Sequence, residues 1–141
     1  MKMFDAHFHI IDFDFPIIEN QSYTLPNYVT SDYQKETTDL NILGGEIVSG
    51  SFQGFNQDYL LKALKQMGPA FCGVTQLPFT VTDDEILNLH NNGVRALLLG
   101  LGKVLNALHV KVFHLQKSLP FYQIRIIWLH FIIGNSPILN G

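Results

Sequence analysis

Three observations in this 141-residue sequence predict an α/β fold of parallel strands. Apolar runs of strand length alternate with helix-period segments from residue 2 to residue 99. From the second strand onward, the strand candidates start about 24 residues apart. Turn, capping or glycine signals punctuate the segments. Strict βα alternation gives parallel strands joined by right-handed crossovers.

The first strand is Phe4-Asp5-Ala6-His7-Phe8-His9-Ile10-Ile11-Asp12. Its apolar and polar residues alternate with the period of a strand, so Asp5, His7 and His9 are expected on one face and Phe4, Ala6, Phe8 and Ile10 on the other. The D-x-H-x-H-x-x-D spacing puts two imidazoles at the strand's C-terminal end, and neutral imidazole is the commonest protein ligand for zinc-type metals. His7 and His9 are therefore candidate ligands for a divalent metal, zinc by type. The competing reading is a half-buried strand that happens to carry two histidines.

Asp12 to Thr30 contains Pro16 and Pro26 and has no clear period. A connection of that length in a compact domain is usually a lid or binding loop. Ser31-Asp32-Tyr33-Gln34 reads as a capping box opening a helix to about Leu43, stopped by Gly44-Gly45. Glu46 to Gly50 reads as the second strand, followed by the polar loop Ser51-Phe52-Gln53-Gly54-Phe55. Asn56 caps the next helix, which lays Leu60, Leu64 and Met67 on one stripe with Leu61 and Ala63 beside it. Gly68-Pro69 ends it. Ala70 to Leu77 is the third strand; Thr82-Asp83-Asp84-Glu85 is a second capping box; Asn92-Gly93 stops that helix, and Val94 to Leu99 is the fourth strand. Further on, Gly102 to Gln116 has a helical apolar face, and Phe121 to Ile133 is a near-continuous apolar run read as a fifth strand.

Alternating units of this kind close into an eight-stranded (β/α)8 TIM-type barrel or form an open doubly wound sheet. The doubly wound fold advertises itself with a glycine fingerprint after the first strand. His-Ile-Ile-Asp stands there instead, which favours the barrel. A barrel takes about 250 residues, so this length supplies four or five of eight strands, an apparently truncated barrel.

Composition narrows the function classes. Apolar residues make up 47% of the chain and charged ones 15%, the balance of a globular protein rather than a disordered one. The single Cys72 excludes an internal disulfide and fits a reducing compartment. Met-Lys-Met-Phe-Asp is not the start of a signal peptide. The most apolar window, Leu119 to Ile133, is too short to span a bilayer and carries Arg125 and His130. The expectation is a cytoplasmic protein with no membrane partner. Charge is distributed unevenly. All twelve acids lie in residues 1–85 with four basic residues, a net of −8, whereas residues 86–141 hold five basic residues and no acid. Five positive charges at that density are too sparse for a nucleic-acid surface. At the usual frequency of acids, so long an acid-free stretch arises by chance roughly once in a thousand.

Phe4-Asp5-Ala6-His7-Phe8-His9-Ile10 resembles the first-strand metal motif of the amidohydrolase superfamily, and more closely the amidohydrolase-related group that includes 2-pyrone-4,6-dicarboxylate lactonase. The run from Gly44 to Gly54 with Tyr59-Leu60-Leu61-Lys62-Ala63-Leu64 is similar to that group's second strand and helix. Phe71-Cys72-Gly73-Val74-Thr75-Gln76-Leu77-Pro78 is similar to its third strand, and Gly93-Val94-Arg95-Ala96-Leu97 to the start of its fourth. The resemblance implies a metal-dependent hydrolase acting on a small carboxylate-bearing lactone, ester or amide. It further implies a metal held by the two strand-one histidines and a middle-strand histidine, with a last-strand aspartate as proton acceptor. Related barrels also carry out metal-assisted decarboxylation.

The likeness runs out where the group's fourth strand continues with an arginine and an asparagine and this chain has Leu98-Leu99-Gly100. The expected division is residues 1–97 as the N-terminal part of a hydrolase barrel and 98–141 as a divergent, acid-free tail from a shifted frame or altered gene end. No residue here fills the last-strand aspartate, so the catalytic proton acceptor is unknown. The alternative function is a catalytically inactive half-barrel that binds metal or self-associates through uncovered strand edges.

His130 is the only candidate third metal ligand, against a stray histidine in an apolar tail. His109 and His114 do not share a helix face, and His90 reads as a helix-surface residue. Ser51, Gln53 and Asn56 follow a strand end and are candidate contacts to substrate oxygens; the alternative is a helix cap and ordinary loop residues. Asp5 either orients an imidazole or is solvated. Arg95 lies at the beginning of its strand, away from the expected site.

Overall fold

The computed structural model describes residues 1–18, 25–98 and the backbone of 125–127. Its elements are β1 (Met3–Phe8), α1 (Thr30–Glu36), β2 (Ile42–Val48), a 3₁₀ turn (Ser51–Gln53), α2 (Asp58–Met67), β3 (Phe71–Thr75), α3 (Asp83–Asn91), β4 (Val94–Leu98) and β5 (Arg125–Ile127). All strand pairs are parallel. Their order in the sheet is β1-β2-β3-β4-β5. That order decides between the two candidate folds, because a doubly wound sheet reverses strand order at a switch point, whereas a barrel adds each strand beside the last. The barrel-type α/β architecture stands.

The helices cover one face of the sheet. The main core joins Ile47, Tyr59, Leu60, Ala63, Leu64, Ile86, Leu89, Val94 and Leu97, with Ile10 and Tyr33 from the β1 side. The expected α2 stripe is largely the buried one: Leu60, Ala63 and Leu64 are buried, with Tyr59 added. Val48, Val74 and Ala96 form a second cluster, aligned across β2, β3 and β4 by register.

Several boundaries differ from the sequence expectation. The first helix ends at Glu36 rather than near Leu43. Thr37 and Thr38 donate their hydroxyls back to the Tyr33 and Gln34 carbonyls at 2.8 and 2.9 Å, and such β-branched residues favour leaving the helix. Its N-terminus is set by Asp32, whose carboxylate accepts the Val29 N–H at 2.9 Å, so the cap is Val29, two residues before the expected Ser31. The freed residues start β2 at Ile42, so Gly44 and Gly45 lie within a strand rather than at a helix stop. A Cβ on Gly44 would overlap the Ala70 carbonyl, and one on Gly45 would stand 2.7 Å from the Asp5 carbonyl oxygen. Those glycines permit close strand approach. The second capping box forms as expected: Thr82 Oγ1 accepts from Glu85 N at 3.2 Å while Glu85 Oε2 accepts from Thr82 N at 2.6 Å.

β5 falls inside the run expected as a fifth strand. The helix expected over Gly102 to Gln116 and most of the 98–141 division lie outside the described residues.

Candidate functional site

The site is built where β1 ends. His7 is near the end of the strand, and His9 is just beyond it. Their Nε2 atoms are 3.3 Å apart, with the rings edge to face at 4.9 Å between centroids. His9 Nδ1 lies 2.7 Å from the Val48 carbonyl oxygen. A carbonyl only accepts, so Nδ1 carries the hydrogen and donates it. Neutral His9 then has its lone pair on Nε2, facing His7. Phe52 flanks the His9 ring edge to face, 5.9 Å between centroids.

This arrangement fits a divalent metal as far as two donors go. Two nitrogens bound to one tetrahedral zinc at about 2.0–2.1 Å lie about 3.3 Å from each other, which is the separation of the two Nε2 atoms. The His9 Nδ1–H bond to a backbone carbonyl is the usual way a ligand imidazole is oriented. Among the described residues, no group of three or more His, Cys, Asp or Glu side chains could hold a metal ion. His130, the candidate third ligand, lies outside them.

The expected common face of Asp5, His7 and His9 does not form. β1 places four residues, Asp5 to Phe8, against three on β2, Gly45 to Ile47. Such a bulge breaks the two-residue alternation. Asp5 instead accepts the Tyr33 hydroxyl at 3.1 Å and the His7 backbone N–H at 3.3 Å. Phe8 stacks on the same Tyr33 ring at 3.9 Å. Asp5 therefore orients a tyrosine and a turn of backbone, not an imidazole.

The three polar candidates after β2 occupy different settings. Ser51 is exposed. Gln53 is 2% exposed; its amide donates to the Ile10 carbonyl and accepts the Gly50 N–H at 3.1 Å. It staples the β1 exit to the β2 exit. Asn56 Oδ1 accepts the Asp58 N–H at 3.1 Å just ahead of α2, whose N-cap position is Gln57, one residue later than expected. Arg95 donates to the His90 carbonyl, near the end of α3 and away from the histidines.

Sequence reasoning passed over a set of buried hydroxyls at the same sheet end. Ser49 Oγ lies 2.5 Å from Tyr59 OH and 2.8 Å from Thr75 Oγ1. Thr75 in turn donates to Gln57 Oε1 at 2.8 Å. Burial pushes the Tyr59 hydroxyl above its ordinary pKa, with the Ser49 hydrogen bond partly offsetting it. The available signal was position: Ser49 and Thr75 end apolar strand runs, where α/β barrels gather their chemistry. The long loop after β1 is tied down separately. Asp12, 5% exposed, pairs with Lys62, and Ile11 and Tyr28 exchange backbone hydrogen bonds at 2.7 and 2.8 Å.

No protein-family model and no curated protein matches the chain. Solved structures do. A protein from Acinetobacter baumannii, provisionally described as a 2-pyrone-4,6-dicarboxylic acid hydrolase and solved with citric acid bound, aligns with a TM-score of 0.67 at 21% identity, covering 91% of this chain and 58% of its own. A Pseudomonas putida protein given the same provisional activity aligns with a TM-score of 0.66 at 22% identity, covering 89% and 55%. An Agrobacterium tumefaciens protein aligns with a TM-score of 0.56 at 18% identity, covering 67% and 35%. The chain thus spans a little over half the length of the first two proteins. At these identities the likeness establishes the fold, the barrel-type α/β arrangement resembling that of 2-pyrone-4,6-dicarboxylic acid hydrolases.

Proposed function

We propose that the chain carries part of the active site of a metal-dependent hydrolase acting on a small carboxylate-bearing lactone, ester or amide. The observation that carries this reading is the His7–His9 pair, with Nε2 atoms 3.3 Å apart and His9 Nδ1 held on the Val48 carbonyl. The substrate class rests on the likeness to proteins described as dicarboxylic acid hydrolases, one of them with citric acid bound.

His7 and His9 would hold the ion, zinc by type, through Nε2. When bound there, such an ion polarises a carbonyl and lowers the pKa of its water toward about 7. The chain's own residues do the orienting. Val48 fixes the His9 tautomer, Phe52 lies edge to face against its ring, and Gln53 joins the two strand exits that carry these groups. Ser51, exposed beside this end of the sheet, is the substrate-facing candidate in the loop.

A second reading is favoured by one observation. Among the described residues only His7 and His9 come together as candidate ligands, with no group of three, which suits metal binding without turnover.

The test is zinc titration of the full chain and of His7→Ala and His9→Ala, beside hydrolysis of a panel of carboxylate-bearing lactones followed by acid release. About one zinc bound per chain, lost in both variants, with lactone opening by the wild type supports the hydrolase. Zinc binding without lactone opening supports the second reading. Failure of the wild type to bind zinc overturns both.

A further inference from the structure

We infer that Ser49, locked by Tyr59 and Thr75, is the positioning residue that holds His9 in its Nε2-unprotonated form. The inference rests on the reading of His7 and His9 as the metal pair, and it concerns how the fold prepares that pair before any ion arrives.

The argument begins with one peptide unit. In a trans peptide the C=O of one residue and the N–H of the next point in opposite directions. The Ser49 N–H donates to the Val74 carbonyl on β3 at 2.8 Å. The Val48 carbonyl in the same unit must therefore point the other way, toward β1. The last β1 residue in register with β2 is Phe8, opposite Ile47, so β1 has ended where the Val48 carbonyl would seek its next backbone donor. His9 Nδ1–H takes that place at 2.7 Å. The imidazole replaces a missing rung of the ladder.

The orientation of that rung depends on Ser49. Its backbone is held by Val74, and its hydroxyl lies between Tyr59 OH at 2.5 Å and Thr75 Oγ1 at 2.8 Å. The three residues are 5%, 1% and 0% exposed. An apolar residue in place of each would fill this core without the desolvation cost of burying a hydroxyl, so their polarity needs a reason. Fixing the Val48–Ser49 peptide supplies one, because a peptide free to tilt would relax the carbonyl from His9 and let Nε2 take the proton. An Nε2–H cannot ligate a metal.

The test reads the tautomer directly by 15N NMR of the imidazoles in metal-free full-length chain, near pH 8.5, about two units above the ordinary imidazole pKa. In the wild type, His9 is expected to show a protonated Nδ1 and an unprotonated Nε2. Ser49→Ala is expected to give a mixture of both tautomers and about tenfold weaker zinc binding, the low end of what loss of a ligand's supporting partner costs. Ser49→Thr, which keeps the hydroxyl, restores the wild-type pattern. Tyr59→Phe keeps the ring and removes one hydroxyl, and is measured in parallel so that poor folding of Ser49→Ala does not decide the matter. It too is expected to shift the tautomer. If both variants unfold at lower temperature while His9 keeps its wild-type tautomer, Ser49 is merely structural and the inference falls. A tautomer shift in a chain that binds no zinc in any form would leave the positioning role standing and remove the metal reading instead.

Discussion

Lys62 reaches Asp12 across fifty residues of sequence, Nζ to Oδ2 at 2.7 Å, tying the loop after β1 to helix α2. Asp12 is buried, and Lys62 also touches Asp14 at 3.1 Å, whose side chain is 80% exposed. Lys62→Met is expected to lower the urea midpoint clearly, because it leaves a buried carboxylate without its partner. Asp14→Ala changes stability by no more than about 0.5 kcal/mol. The double variant Lys62→Met with Asp12→Leu recovers part of the loss. Equal effects of the two single substitutions would show that the Lys62–Asp12 pair does not anchor this loop.

Zinc should stabilise the fold through the histidine pair. A ligand present at about a hundred times its Kd stabilises the native state by about 2.7 kcal/mol. Urea unfolding of the wild type is expected to show a gain of that size, absent in His7→Ala. A zinc-dependent shift that survives His7→Ala would place the ion elsewhere.

The glycines of β2 and α2 separate two kinds of constraint. Gly44 has no room for a Cβ beside the Ala70 carbonyl, whereas a Cβ on Gly68 would meet nothing within 4 Å. Gly68 has φ of 83° with ψ of −177° instead, a backbone region essentially reserved for glycine, so Gly68→Ala carries a strain penalty of about 1–3 kcal/mol without a clash. Gly44→Ala forces backbone apart within a strand and is expected to cost more, above about 3 kcal/mol. Chemical denaturation of the two variants ranks them, and the reverse order would mean that β2 and the β3 entrance move apart freely.

Tyr33 predicts an alkaline transition. Burial first, then its hydrogen bond to Asp5, raises its hydroxyl to about 12 from the ordinary 10. Folding favours the neutral phenol, so this contribution is fully present below about pH 10 and is lost as pH rises through about 12. Tyr33→Phe is expected to weaken the fold at neutral pH and flatten the decline between those values. Tyrosinate absorbance during a pH titration checks the order: Tyr33 should ionise before Tyr28 and Tyr59, whose hydroxyls are pushed higher still.

The parallel α/β class was legible because hydrophobic periodicity is a local property. Leu60 and Leu64 announce α2, and Thr82 with Glu85 announces the start of α3, from neighbours within a few residues. The candidate metal pair was equally legible, since two imidazoles two positions apart need only a strand end to meet. Residues whose roles depend on distant partners were less readable. Gln53 resembled a loop contact until Ile10, 43 positions away, claimed its amide, and Ile42 to Gly45 resembled a helix end until pairing with β1 drew them into β2.

That strands and helices alternate, and that His7 and His9 stand together at a strand's end, follows from short-range sterics and side-chain period along the chain. The strand order, the bulge that turns Asp5 toward Tyr33, and the contact of His9 Nδ1 with the Val48 carbonyl arise instead from long-range packing. Each of these depends on which backbone group of one strand meets a group some forty residues away, and no local pattern encodes that register.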